Sequence, residues 1–245
     1  MAYGDYIRDY NGLMLAAHYD LADIAETLLT SGADPNINRR TYYRNKMNAL
    51  TLAAARGHKD VFAVLVDNGA DITEAFRAAV SAGHADIAAD LLDKGANIDD
   101  QEKATSGNWT ALMTATYLGH DEVFNLLIEK GANVNLQSNG NTALEYSWEK
   151  EKYDSYGKAG LHRRHFLTLL EHGADVNVKY GSDGLTILML VSKSCILVSD
   201  CEGLIQALVD HGANINDKVI LVFLNPNPNA KFLKEKTLTE LLLQI

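Results

Sequence analysis

The tripeptide Gly-Ala-Asp/Asn occurs six times along the chain, beginning at Gly32, Gly69, Gly95, Gly131, Gly173 and Gly212. Successive glycines lie 37, 26, 36, 42 and 39 residues apart. A unit that recurs at this period cannot bury its apolar face alone and must stack on its neighbours. Each tripeptide closes an apolar stripe, as in Ile24, Leu28 and Leu29, then Val61, Leu65 and Val66, then Ile87, Leu91 and Leu92, then Val123, Leu126 and Leu127. Such spacing marks one buried face of a helix. The glycine falls where that helix ends, because the residue after the last turn takes a positive φ.

A second signature precedes each stripe. It reads Asn48-Ala49-Leu50-Thr51-Leu52-Ala53-Ala54-Ala55-Arg56-Gly57-His58 in one copy and Thr110-Ala111-Leu112-Met113-Thr114-Ala115-Thr116-Tyr117-Leu118-Gly119-His120 in another. A third copy, Ala75 to His84, ends in the same Gly-His pair. Small alanines let two antiparallel helices approach closely, and Gly-His supplies the tight turn between them. With both signatures in phase, the chain resembles the ankyrin-repeat family over nearly its whole length. The resemblance implies an all-α ankyrin-repeat solenoid of stacked helix-turn-helix pairs joined by β-hairpin fingers. Six divergent repeats are expected at about 10–38, 47–73, 74–99, 109–136, 141–178 and 185–216, with a C-terminal cap over 217–245, all in one domain of 1–245.

The family's Thr-Pro-Leu-His opening is degraded throughout. Ala49, Ala75, Ala111, Ala143 and Ile187 stand in the proline place. Met14, Thr51, Arg77, Met113, Glu145 and Met189 stand in the histidine place. The histidine network between neighbouring repeats is therefore expected to be missing, with apolar burial holding the stack. The short gap leaves the third repeat almost no hairpin, since Asp71-Ile72-Thr73 runs straight into Glu74. A long finger spans Asn38 to Met47, and insertions fall near 148–158 and 192–201. Two prolines among asparagines at 225–229 predict a loop. The pattern through Phe232, Leu233, Leu238, Leu241 and Leu242 predicts a capping helix. Tyr3 to Ile7 is expected to begin the N-terminal cap.

Composition narrows the function. Hydrophobic residues make up 47% of the chain, enough for a substantial core. Lys plus Arg is 22 and Asp plus Glu is 32, a net charge of −10, which argues against a nucleic-acid partner. Two cysteines, Cys195 and Cys201, fit a reducing compartment, and no signal peptide or membrane-length apolar run is seen. A cytoplasmic setting is expected, or a host cytosol if the chain is a secreted bacterial effector. No phosphate-cradling glycine loop or Gly-x-Ser-x-Gly occurs. His58, His84 and His120 belong to repeat turns, while His172 and His211 precede helix-ending glycines. His162 and His165 have metal-compatible spacing, yet no third ligand is placed and two arginines lie between them. No cofactor, metal or enzymatic activity is expected.

What the resemblance implies is a non-enzymatic protein-interaction module working through its concave face and fingers. The two residues before each turn face that side, namely His18 and Tyr19, Ala55 and Arg56, Ser81 and Ala82, and Tyr117 and Leu118. Finger positions add Tyr42, Tyr43, Arg44 and Trp109. Tyr19, Tyr42, Tyr43, Arg44, Arg56, Trp109, Tyr117 and Leu118 are thus the candidate partner-binding residues, rich in the types that dominate interface hot spots. Arg39, Arg40, Arg44 and Lys46 place four positive charges on the long finger. Taking them from −10 leaves −14 on the remainder. An acidic peptide, a phosphorylated motif or an anionic lipid surface could dock there. The chain is expected to act as a monomer on a protein or peptide partner. The alternative is an effector with a cysteine-histidine activity in the C-terminal insertions.

Overall fold

The computed structural model describes residues 10–40, 46–101, 108–153, 161–181, 184–194, 201–216, 218–221 and 234–237. Two compact units divide the chain. Unit 1 comprises Met1–Ala104 and Trp109–Ala132, and unit 2 comprises Thr105–Asn108 and Asn133–Ile245.

Unit 1 carries four helix pairs. The first helices of the pairs are α1 (Gly12–Tyr19), α3 (Ala49–Arg56), α5 (Thr73–Ala82) and α7 (Ala111–Leu118). Their partners are α2 (Ala22–Thr30), α4 (Lys59–Asp67), α6 (Ala85–Asp93) and α8 (Asp121–Glu129). Between α2 and α3 the long finger pairs β1 (Arg39–Arg40) with β2 (Lys46–Met47), antiparallel, with Arg39 opposite Met47. Unit 2 holds α9 (Ala143–Tyr153), α10 (Leu161–Glu171), α11 (Ile187–Ser194) and α12 (Cys201–Asp210). It also holds β3 (Lys218–Leu221) paired antiparallel with β4 (Lys234–Thr237). Helix pairs stacked within each unit give the all-α repeat architecture that the sequence implies.

Local chemistry explains the helix starts. Asn11 accepts from Met14 N at 2.8 Å, and Thr110 accepts from Met113 N at 3.2 Å. Asn48 and Thr51 form a reciprocal capping box, so the threonine in the family's histidine place serves its own helix. The first helices pack on one another in the order α1, α3, α5, α7, through buried alanines such as Ala16, Ala53 and Ala79. The apolar stripes of the second helices fill the other side. Val61, Ile87 and Val123 are wholly buried, as are Leu65, Leu91 and Leu127. Each such side chain contributes about 1.5–3 kcal/mol over an exposed one. Ile24, expected in the same stripe, is instead 49% exposed.

Two polar devices join neighbouring repeats. His58 donates from Nδ1 to the Ala17 carbonyl at 2.8 Å, and His120 donates from Nε2 to the Ser81 carbonyl at 3.1 Å. In the loops, Asn36, Asn135 and Asn177 each donate to a glycine carbonyl of the next repeat, Gly69, Gly173 and Gly212 respectively. Their side-chain oxygens accept from the backbone N–H of Asp71, Asp175 and Asn214. A single amide thus serves two backbone groups of the next turn.

The short third hairpin behaves as the spacing predicts, since Asp71 Oδ1 accepts from Thr73 N at 3.0 Å and α5 begins at Thr73. Trp148, expected in an insertion, lies in the longer α9, is buried and meets Phe166 edge-on at 6.5 Å. The C-terminal expectation needs correction. Lys234–Thr237 is a strand, not part of a capping helix. Its four polar residues interrupt the leucine pattern, and its partner strand contains β-branched Val219 and Ile220, which favour extended backbone. Tyr3 to Ile7, Phe232, Leu233, Leu238, Leu241 and Leu242 lie outside the described residues.

The turn glycines make a direct test. A Cβ at Gly83 (φ +83) would sit 2.8 Å from His120 Nδ1, whereas one at Gly95 (φ +94) would meet nothing within 4 Å. Gly95→Ala should cost about 1 kcal/mol of left-handed strain. Gly83→Ala should cost about 2–3 kcal/mol in urea unfolding, because displacing the ring also disturbs the His120–Ser81 bond.

Candidate functional site

Each first helix of unit 1 stops at a left-handed residue, Asp20 (φ 57), Gly57 (φ 73), Gly83 (φ 83) or Gly119 (φ 70). This common ending puts the last two side chains of every helix at the same register. The final positions are Tyr19, Arg56, Ala82 and Leu118. All four are exposed, Tyr19 by 55% and Leu118 by 40%. One residue earlier stand His18, which is buried, Ala55 and Ser81, which are exposed, and Tyr117, which is half-buried.

Aromatic groups gather at both ends of this row. In the fourth repeat, Trp109 and Tyr117 meet edge to face with centroids 5.0 Å apart, beside Leu118 in sequence. In the first repeat, His18 contacts Tyr19 at 4.6 Å and Tyr10 at 5.7 Å. Arg39 of the finger lies 5.7 Å over the Tyr10 ring, and Tyr10 Oη donates to Met47 Sδ at 3.7 Å. Between the two groups, the second and third repeats contribute Ala55, Ser81 and Ala82, with the Arg56 guanidinium beside them in register. Edge-to-face pairs are worth about 0.5–1.5 kcal/mol beyond their burial, so the paired rings restrain one another.

Among the eight row side chains, Arg56 bears the one full charge, and it is positive. Acids collect in the first turns of the second helices, at Asp23, Asp60, Asp86, Asp121 and Glu122, where they complement the helix dipole. Asp86 pairs with Lys59, whose hydrogen bond holds the carboxyl below its usual range and raises the ammonium pKa. Arg77, in the family's histidine place, is tied to Asp100 and to Glu74 at 3.3 Å.

The structure therefore sets Tyr19, Arg56, Tyr117 and Leu118 in one register and packs Trp109 onto Tyr117. Tyr42, Tyr43 and Arg44 lie outside the described residues. Sequence reasoning missed the Tyr10–Arg39 contact, although Tyr10 directly precedes the Asn11 cap and Arg39 opens the finger. His162 and His165 are buried in unit 2, 6.1 Å apart between ring centroids, and α10 also buries Phe166, Leu169 and Leu170. Among the described residues, no group of three or more His, Cys, Asp or Glu side chains could hold a metal. Cys195 lies outside the described residues, as does the side chain of Cys201.

A family model described as ankyrin repeats in three copies matches residues 13–102 and 76–180. The chain belongs to the ankyrin-repeat family. Ankyrin repeats generally mediate protein–protein interaction and are typically non-enzymatic. A search of curated proteins finds no match. No described helix is long and apolar enough to cross a membrane.

Unit 2 carries an acid in the ankyrin histidine place. Glu145 Oε2 is buried and accepts no hydrogen bond from any described residue. Burial, with the Glu149 charge one turn along, pushes its pKa up to about 7. Nearby, burial pushes the Tyr180 phenol up to about 12, while its hydroxyl meets Thr142 Oγ1 at 3.1 Å. An ordinary glutamate loses its proton near 4.5, so between there and about 7 folded Glu145 holds a proton that the unfolded chain has released. Stability is full below that window and falls as pH rises through it. Solvent reaches part of the group, so the loss should be about 1 kcal/mol. Glu145→Gln should abolish the fall between pH 5 and pH 8 in urea melts.

Proposed function

We propose that this ankyrin-repeat protein is a non-enzymatic module that captures an acidic peptide segment of a partner protein on the first-helix row of unit 1. The observation that carries this reading is the in-register display of Tyr19, Arg56 and Leu118, flanked by the Tyr10–His18 and Trp109–Tyr117 groups. Aromatic side chains with few rotatable bonds bury much area at small entropic cost, and arginine gives a forked donor for a carboxylate or phosphate. The small side chains Ala55, Ser81 and Ala82 leave room for the peptide between the two aromatic groups. The finger strengthens the case, because Arg39 is held beside Tyr10 and the same finger sequence supplies Arg40, Arg44 and Lys46. Tyr42, Tyr43 and Arg44 extend the proposed surface. The six repeats are read as one binding domain, acting as a monomer.

Catalysis by Cys195 or Cys201 with His162 or His165 is less well supported. Both imidazoles are buried within unit 2, away from water and from any incoming substrate. Binding requires no such group.

Selection from a random peptide library tests the reading. Wild-type protein should enrich peptides with Asp or Glu close to apolar residues. Arg56→Glu should shift the selection towards Lys and Arg. Tyr19→Ala and Leu118→Ala should each weaken a selected peptide by about tenfold, the size expected for loss of one hot-spot side chain. Asp60→Ala on the second-helix layer should leave affinity within about twofold. Unchanged affinity in all three row variants would remove the row from the binding surface.

A further inference from the structure

The helix ends of the row are evenly stepped. Helices α1, α3, α5 and α7 pack on one another in that order through alanines that are almost wholly buried, Ala16, Ala53, Ala79 and Ala115. Packed helix axes lie about 8–10 Å apart. Tyr19, Arg56, Ala82 and Leu118 are each the last residue of their helix, so they follow one another at about that step. Backbone groups at these ends are already spent. The capping N–H groups of Asp20, Gly57, Gly83 and Gly119 bond carbonyls of their own helices. The next N–H groups, of Leu21, His58, His84 and His120, do the same. The Ala17 and Ser81 carbonyls are taken by turn histidines.

These features discriminate between conformations of a bound peptide. A β-strand adds to an edge of unpaired backbone groups, which these described helix ends do not offer. A helix lays a continuous apolar face into an apolar groove, whereas Ala55, Arg56, Ser81 and Ala82 separate Tyr19 from Leu118. A polyproline II segment needs neither, because its backbone stays solvated. It has three residues per turn at about 3.1 Å each, so the same face returns about every 9.3 Å. That repeat matches the step between helix ends. Ten residues span about 28 Å, or three steps, which is the run from Tyr19 to Leu118.

We propose, on the basis of the function given above, that the acidic peptide lies along the row as a polyproline II segment read at every third residue. An apolar residue faces Tyr19. Three places along, Asp or Glu faces Arg56. Three further, a large side chain covers Ala82, whose own side chain is small. After three more, an apolar residue meets Leu118 and the Trp109–Tyr117 pair. Aromatic walls of this kind also suit proline at the intervening places.

Fluorescence polarisation with defined peptides on the full chain tests the spacing. The probes are labelled Leu-Pro-Pro-Glu-Pro-Pro-Phe-Pro-Pro-Leu and its reversed sequence, in which each proline holds the residue before it extended. One of the two should bind about tenfold more tightly than its counterpart with one extra proline between the glutamate and the nearer leucine. Ala82→Trp should weaken that probe by about tenfold, yet leave the form with alanine in place of phenylalanine within about twofold. Acidic peptides selected from the random library should carry the acid three residues from one apolar residue and six from another. Spacings of two or seven among them would overturn the polyproline II reading while leaving the row as an acidic-peptide site. Equal affinity for spacings of three and four, or no binding by either defined probe, would overturn it as well. A library that enriches no acidic peptide would remove the proposed function itself, and this reading with it.

Discussion

The packing of a turn histidine against the glycine turn of the preceding repeat fixes how helix pairs follow one another in unit 1. The His84 ring lies where a Cβ on Gly57 would be, and the His120 ring lies where a Cβ on Gly83 would be. Only a residue without a side chain, already in the left-handed region, admits the ring. His120 then reaches the Ser81 carbonyl and His58 reaches that of Ala17, so both devices act at the end of a first helix. The consequence is a common register. Because each first helix ends on the same geometry, its last two side chains are displayed alike from repeat to repeat. The row of exposed helix ends, on which binding is proposed, follows from the way the repeats are joined.

Much of this was legible in the sequence because it is written in periodic apolar residues and in glycine. The helix pairs, the left-handed turns, the short third hairpin and the long finger all follow from spacing and from the conformations glycine allows. The linking bonds were less visible. A missing histidine at Thr51 or Met113 suggested a stack without histidine bridges, but the bridging role belongs here to the histidines of the turns. The asparagine clamps at Asn36, Asn135 and Asn177 were equally hidden, since an amide serving another repeat's turn leaves no periodic trace. Lys234–Thr237, one strand of the C-terminal pair, falls inside a segment whose flanking leucines have helical spacing, while the strand residues themselves are polar.

The candidate site divides in the same way. Tyr19, Arg56, Tyr117 and Leu118 could be placed from the repeat register, which is a property of the helix ends. The Trp109–Tyr117 pair and the Arg39–Tyr10 contact depend on side-chain packing across a loop, and no spacing rule encodes them. Unit 2 departs further from the repeat pattern. Its first helix is lengthened to bury Trp148, and it carries Glu145 where an apolar or paired residue stands in the other repeats. An acid kept partly from water without a hydrogen-bond partner among the described residues is expected to weaken the fold as pH rises.

Site-specific crosslinking of the selected acidic peptide measures most directly where recognition occurs. Photoreactive residues placed one at a time at Ala82 and Leu118 should capture the peptide, while those at the exposed second-helix positions Glu26 and Asp90 should not. Capture at Glu26 or Asp90 with none at Ala82 and Leu118 would contradict a binding row formed by the ends of the first helices.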